Sequence, residues 1–163
     1  MIIDADVSSY KEQLERVQRW LDRIEVQGWD RIEYRDGFKE FLDRIQYEDF
    51  LWTFFQNCWH LKDWIKNDDA LPRNVCETVE DEVKKFESLM ICADLANRSK
   101  HLELKNIRRD ARAIAEIRLV VGESKISRDY MVVLADGSKH PALDVARNAM
   151  KDWRTLLSDY GLV

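Results

Sequence analysis

Apolar positions recur at steps of three and four residues over most of this chain, the spacing of helices that bury one face. Leu14, Val17, Leu21 and Ile24 predict a first helix, with Ser8 and Ser9 as candidate N-caps and Gly28 as its stop. After the turn signal Asp36-Gly37, a second helical region runs from about Phe38 to Lys66. Phe38, Phe41, Leu42 and Ile45 give it a short face, and Tyr47, Phe50, Leu51, Phe54, Cys58, Leu61 and Ile65 a longer one. Trp52, Phe55, Trp59 and Trp64 make it aromatic on more than one side, which marks it as the central helix. Asn67-Asp68-Asp69-Ala70-Leu71-Pro72 has turn chemistry. A third helix from about Arg73 to Arg98 is predicted by the stripe Val79, Val83, Phe86, Met90 and Ala93, with Asn74 and Glu77 spaced as a capping box.

The period then changes. Ala113, Ala115, Ile117, Leu119 and Val121 alternate, which predicts a strand over 113–121. Gly122 to Asp129 reads as a polar connection and Tyr130-Met-Val-Val-Leu134 as a second strand. Asp136-Gly137 is a hairpin turn signal, and Ser138 to Ala142 returns as a short third strand. Leu143, Ala146, Met150, Trp153, Leu157 and Tyr160 then line one face of a last helix. The expected fold class is α+β and mainly α. It is a helical bundle with a small two- or three-stranded antiparallel meander before the C-terminal helix. The pattern shows no repeat or linker and implies one domain over 1–163: helical over 8–101, meander over 113–142, last helix over 143–160.

Composition narrows the class. The 163 residues suffice for one packed core, and 45% hydrophobic with 35% charged is ordinary for a globular chain. A net charge of -5 argues against a general nucleic-acid coat protein. The charge is unevenly spread, however. Arg98, Lys100, Lys105, Arg108, Arg109 and Arg112 face only Glu103 and Asp110, so that window is +4 and the rest of the chain -9. Such a window either attracts phosphate or is a solvated loop after a helix. Cys58, Cys76 and Cys92 are odd in number and without paired spacing, so no disulfide framework is expected; Cys58 and Cys92 fall in apolar helical patterns. The opening residues lack the features of a signal peptide, and no apolar run approaches the roughly 20 residues that span a bilayer. A cytoplasmic protein with no membrane partner is expected. The aromatic load and the seam of the first helix point to a homodimer.

Candidate chemistry concentrates where the third helix ends. Continued past Ala93 at helical spacing, the apolar stripe reaches Asn97 and then His101. An amide and an imidazole on a buried stripe must be hydrogen-bonded or used. His101 could act as general base and Asn97 could orient it, with Arg98, Lys100, Arg108 and Arg109 holding a phosphate, as in metal-independent RNA cleavage. Equally, His101 can bond the last helix carbonyls, favoured by the helix dipole, with Asn97 structural. Asp94, four residues before Arg98, fits an ordinary ion pair. Asn57 and His60 form a second polar pair inside the aromatic helix, able to stand behind Asn97 and His101 or to serve packing alone. Cys58, His60, Cys92 and His101 have no zinc-site spacing, and His140 before Pro141 reads as a surface turn residue. No metal and no cofactor are expected, and no glycine-rich phosphate loop is present in the sequence.

Two blocks carry a resemblance: Phe54-Phe-Gln-Asn-Cys-Trp-His-Leu-Lys-Asp-Trp-Ile65 and Cys92-Ala-Asp-Leu-Ala-Asn-Arg-Ser-Lys-His-Leu-Glu-Leu104. Together they resemble a group of uncharacterised bacterial proteins with an HLKDW block followed by a DLANxSKH block. More distantly, the chain resembles the HEPN superfamily of helical bundles, commonly dimeric, from toxin–antitoxin, phage-defence and RNA-processing systems. Active members are metal-independent ribonucleases whose motif is an Arg, a polar residue such as Asn, three residues and a His. Asn97 and His101 match the polar and His places, while the Arg place falls on Ala96. The resemblance implies a HEPN-like domain of a bacterial defence or stress system that engages RNA or a nucleotide and, if active, is an endoribonuclease. The rival expectation is a non-catalytic protein-interaction or antitoxin-like accessory module, with a protein partner and with Asn97 and His101 structural.

Overall fold

A computed structural model describes residues 9–26, 32–33, 37–99, 112–120 and 125–162. Helix α1 is Tyr10–Val26, strand β1 Ile32–Glu33, α2 Gly37–Lys66, α3 Arg73–Glu82 and α4 Glu87–Arg98. Strands β2 Arg112–Val120, β3 Lys125–Val133 and β4 Lys139–Pro141 precede α5, Ala142–Asp159. The fold is thus mainly helical, with an antiparallel sheet before the C-terminal helix, as the periodicity implied.

Helix α2, at 30 residues about 45 Å long, is the spine. Its buried positions Tyr47, Leu51, Phe54, Phe55, Cys58, Leu61 and Ile65 keep to the helical period. Helix α1 runs antiparallel along it. The Tyr10 backbone N–H donates to Asp68 just past the end of α2, Gln13 reaches Asn57, and Trp20 packs on Phe50 with centroids 5.5 Å apart. Helix α5 contributes Leu143, Ala146, Met150, Trp153 and Leu157 to the core. Trp153, fully buried, also donates its indole N–H to the Cys58 carbonyl of α2 at 3.0 Å.

The expected third helix is two. Val83–Lys85 tighten into a 3₁₀ turn and Phe86 turns extended, with φ -107° and ψ 115°. A helical backbone therefore does not carry the Val79–Val83–Phe86–Met90 stripe throughout, although those residues sit close to helical spacing. Nor is Asn74 the N-cap of α3: that position is Pro72, with no side-chain capping bond, and Arg73 pairs with Glu77 at 2.6 Å.

In the sheet, β3 is central. Strand β2 pairs along its whole length, from Arg112 opposite Val133 to Val120 opposite Lys125. The other edge is shared by β1, at Ser127 and Arg128, and β4, at Met131 to Val133. Strand β3 begins five residues before the expected Tyr130, and β1 was not foreseen. Gly137, at φ 83°, makes the turn that returns the chain into β4, with the Leu134 N–H bonded to the Ser138 carbonyl at 3.0 Å. Pro141 is tolerated in β4 because that strand is an edge. Tyr130 to Val133 are all buried, and the Tyr130 hydroxyl donates to Glu48 of α2 at 3.1 Å. Among the described residues no helix is long and apolar enough to cross a membrane.

Candidate functional site at the exit of α4

Helix α4 is enclosed on all sides. Every residue from Ser88 to Ala96 is buried. Polar side chains reach the surface only at its two ends: Glu87 is exposed at the start, and at the C-terminal end Asn97 and Arg98 are half-buried and Ser99 is exposed. Arg98 in the last turn suits the negative end of the helix dipole. The end is fastened: the Ser99 N–H donates to the Leu95 carbonyl at 3.1 Å and the Ser99 hydroxyl to the Ala96 carbonyl at 2.6 Å. Gln56 of α2 donates its amide to that same hydroxyl at 2.8 Å. The two sequence blocks that carry the resemblance therefore touch, through Gln56 and Ser99.

Lys100, His101, Arg108 and Arg109 lie outside the described residues. Both flanks of that basic stretch are placed, since Arg98 closes α4 and Arg112 opens β2. Position 96, where the HEPN Arg would stand, is 1% exposed. Asp94 is 0% exposed and is not without a partner. A carboxylate in that setting is held by hydrogen bonds or by opposite charge.

Asn57 is committed elsewhere. Its carbonyl and its Oδ1 accept from the Gln13 amide at 3.0 and 3.2 Å, and its own amide N–H donates to the Thr53 carbonyl at 2.8 Å. Gln13 is 1% exposed and its Oε1 accepts from Arg16 at 2.8 Å. The Arg16 guanidinium also lies 5.4 Å from the Trp64 ring centroid, a cation–π contact between α1 and α2. The arrangement locks α1 onto α2. Sequence reasoning missed Gln13, although it stands four residues before Val17 and so continues the stripe Val17, Leu21, Ile24. That is the same signal that singled out Asn97. His60, the other half of the α2 pair, is half-buried and engaged.

Cys58 and Cys92 are fully buried, free and adjacent. Burial first, and then the neighbouring Cys58 thiol, push the Cys92 thiol well above the usual range, so it is protonated and inert. His140 is exposed and lies 3.2 Å from the Ser138 hydroxyl. Among the described residues no group of three or more His, Cys, Asp or Glu is placed to hold a metal ion. No family model, curated protein or solved structure matches the chain.

Proposed function

We propose that the chain is a HEPN-like helical module that binds RNA or a nucleotide through the basic segment leaving α4, without cutting it. The observation that carries this reading is Ala96. Its place in the motif calls for an Arg that steadies the scissile phosphate, and here the position is a methyl group enclosed in the core. The segment from Arg98 to Arg112 leaves from a helix end fastened by Gln56 and Ser99 and re-enters at β2. Phosphate contacts from the cations of that segment would supply the affinity. In this reading Asn97 and Arg98 position the segment, and Lys100, Arg108 and Arg109 contact phosphate.

A second reading has one observation of its own. The contact between Gln56 and Ser99 sets the stretch of α2 that bears His60 beside the α4 exit. A ribonuclease at that exit would use His101 as base, with Asn97 orienting it.

One experiment separates the two. A mixed RNA pool is incubated in EDTA with wild type, His101→Ala and Arg108→Ala/Arg109→Ala, each checked for folding by circular dichroism. Salt-sensitive binding that survives His101→Ala, falls in the double variant and yields no cleavage supports the binding module. Cleavage lost in His101→Ala overturns it in favour of the nuclease. Absence of both binding and cleavage removes RNA from the reading.

A further inference from the structure

Helices α1 and α5 are antiparallel neighbours joined by two polar bridges. Arg154 donates to the Gln18 Oε1 at 2.5 Å, and Arg147 pairs with Glu25 at 2.8 Å. The bridges are seven residues apart on each helix, about 10 Å. They frame an open cavity of about 610 Å³ whose lining includes the buried side chains of Leu21 and Met150. That volume lies within the range of small-molecule sites, which combine an apolar wall with a few convergent polar groups.

We infer that this groove binds a small phosphorylated ligand of mononucleotide size, with its phosphate between Lys151 and Arg154. The charges decide this. Arg147 is neutralised by Glu25 and by Asp144 at 3.4 Å. Lys151, between the bridges, makes no ion pair among the described residues, and Arg154 is bonded only to a neutral amide. Two uncompensated cations three residues apart on one helix therefore meet in a concave site, in a protein whose net charge is -5. A phosphate is held there by charge-assisted hydrogen bonds, with Gln18 yielding Arg154 to it. Ser158, one turn on, adds a hydroxyl. Asp159 at the far end repels a second anion but accepts hydrogen bonds from sugar hydroxyls, which suits a ligand charged at one end only. Leu21 and Met150 take the apolar ring. This site is on a different part of the bundle from the α4 exit and stands whether or not the RNA reading does.

The test is calorimetric titration of the full chain at low salt with adenosine 5′-monophosphate and, separately, with inorganic phosphate. The proteins are wild type, Lys151→Ala/Arg154→Ala and Arg108→Ala/Arg109→Ala. Lys151 and Arg154 are exposed, so the first double variant is expected to melt as wild type does. Saturable one-to-one binding of the nucleotide, weakened about tenfold or more by Lys151→Ala/Arg154→Ala and untouched by Arg108→Ala/Arg109→Ala, supports the site. Lack of saturable binding of either probe below about 1 mM overturns it. So does binding undiminished in the groove variant, or binding lost only in the Arg108/Arg109 variant, which would place the anion on the segment after α4.

Discussion

Helices α4 and α5 lie against each other and meet the core in opposite ways. Along α5 the buried residues Leu143, Ala146, Met150, Trp153 and Leu157 alternate with the exposed Asp144, Arg147, Lys151, Arg154 and Ser158. Along α4 no such alternation survives, because Ser88 to Ala96 are all enclosed, Asp94 among them. A helix with one solvent face can display charges along its whole length. A helix enclosed all round can offer chemistry only where it ends. The two candidate sites follow from that difference: a groove along the outer side of α5, and the exit of α4 at Asn97 and Arg98.

The sharpest way to break the comparison is to restore the motif's missing Arg. Ala96→Arg would drive a guanidinium into packed apolar surroundings, combining overpacking with an unpaired buried charge. The expected cost is on the order of 4 kcal/mol or more, seen as a collapsed urea midpoint or as insoluble protein. Ser99→Arg, three residues on and exposed, loses only the hydroxyl's bonds to the Ala96 carbonyl and the Gln56 amide and should cost about 1–2 kcal/mol, with the chain still folded. A soluble, fully folded Ala96→Arg variant would mean that position 96 opens to solvent, and would reopen the nuclease reading.

That contrast also explains what the sequence could and could not disclose. Helices α1, α2 and α5 each bury one face, so spacing alone recovered Val17, Leu21 and Ile24, the face from Tyr47 to Ile65, and the face from Leu143 to Leu157. The break at Phe86 left no Gly or Pro to mark it. A 3₁₀ turn keeps apolar residues three apart, so the stripe ran on through a change of backbone. The clue to enclosure was composition rather than period: Ser88-Leu-Met-Ile-Cys-Ala-Asp-Leu-Ala96 holds a single charged residue, Asp94. At the site, Asn97 was legible because a polar residue interrupted an apolar pattern, and Arg98 because it opens the basic window. The lock between Gln13 and Asn57 was not, because its partners are 44 residues apart and nothing local ties them together. The groove was hidden for the same reason: Lys151 and Arg154 read as an ordinary solvated face until Gln18 and Glu25 are placed opposite them.

The two sides of α5 can be weighed one residue apart. Trp153→Ala removes a fully buried ring and the partner of the Cys58 carbonyl, and should cost about 3–5 kcal/mol. Arg154→Ala removes an exposed side chain bonded to a neutral amide and should stay within about 0.5 kcal/mol of wild type. Urea denaturation of both variants measures the pair. Comparable losses would show that the bridge to Gln18 holds α1 to α5 as firmly as the core does, and that the groove is a structural seam with no room for a ligand to displace it.

The smallest expected effect belongs to the exposed charges, and pH separates it from the rest. Glu80 of α3 lies 2.9 Å from Lys66 and 3.6 Å from Lys62, both on α2. The hydrogen bond from Lys66, ahead of all else, holds its carboxyl below the usual glutamate range. A carboxyl lowered on folding contributes stability that is complete above its unfolded pKa of about 4.3 and lost as pH falls through the folded value. Nearly half of the Glu80 side chain is exposed, at 45%, so water and salt screen the pair. Glu80→Gln should therefore shift the urea midpoint only slightly at pH 7 and make the acid-side decline shallower. Added salt at pH 7 should shrink the difference further. A large loss at neutral pH that persists in high salt would mean that the α2–α3 contact is shielded from water, and that charge at the bundle's surface contributes on the same scale as the enclosed core of α4.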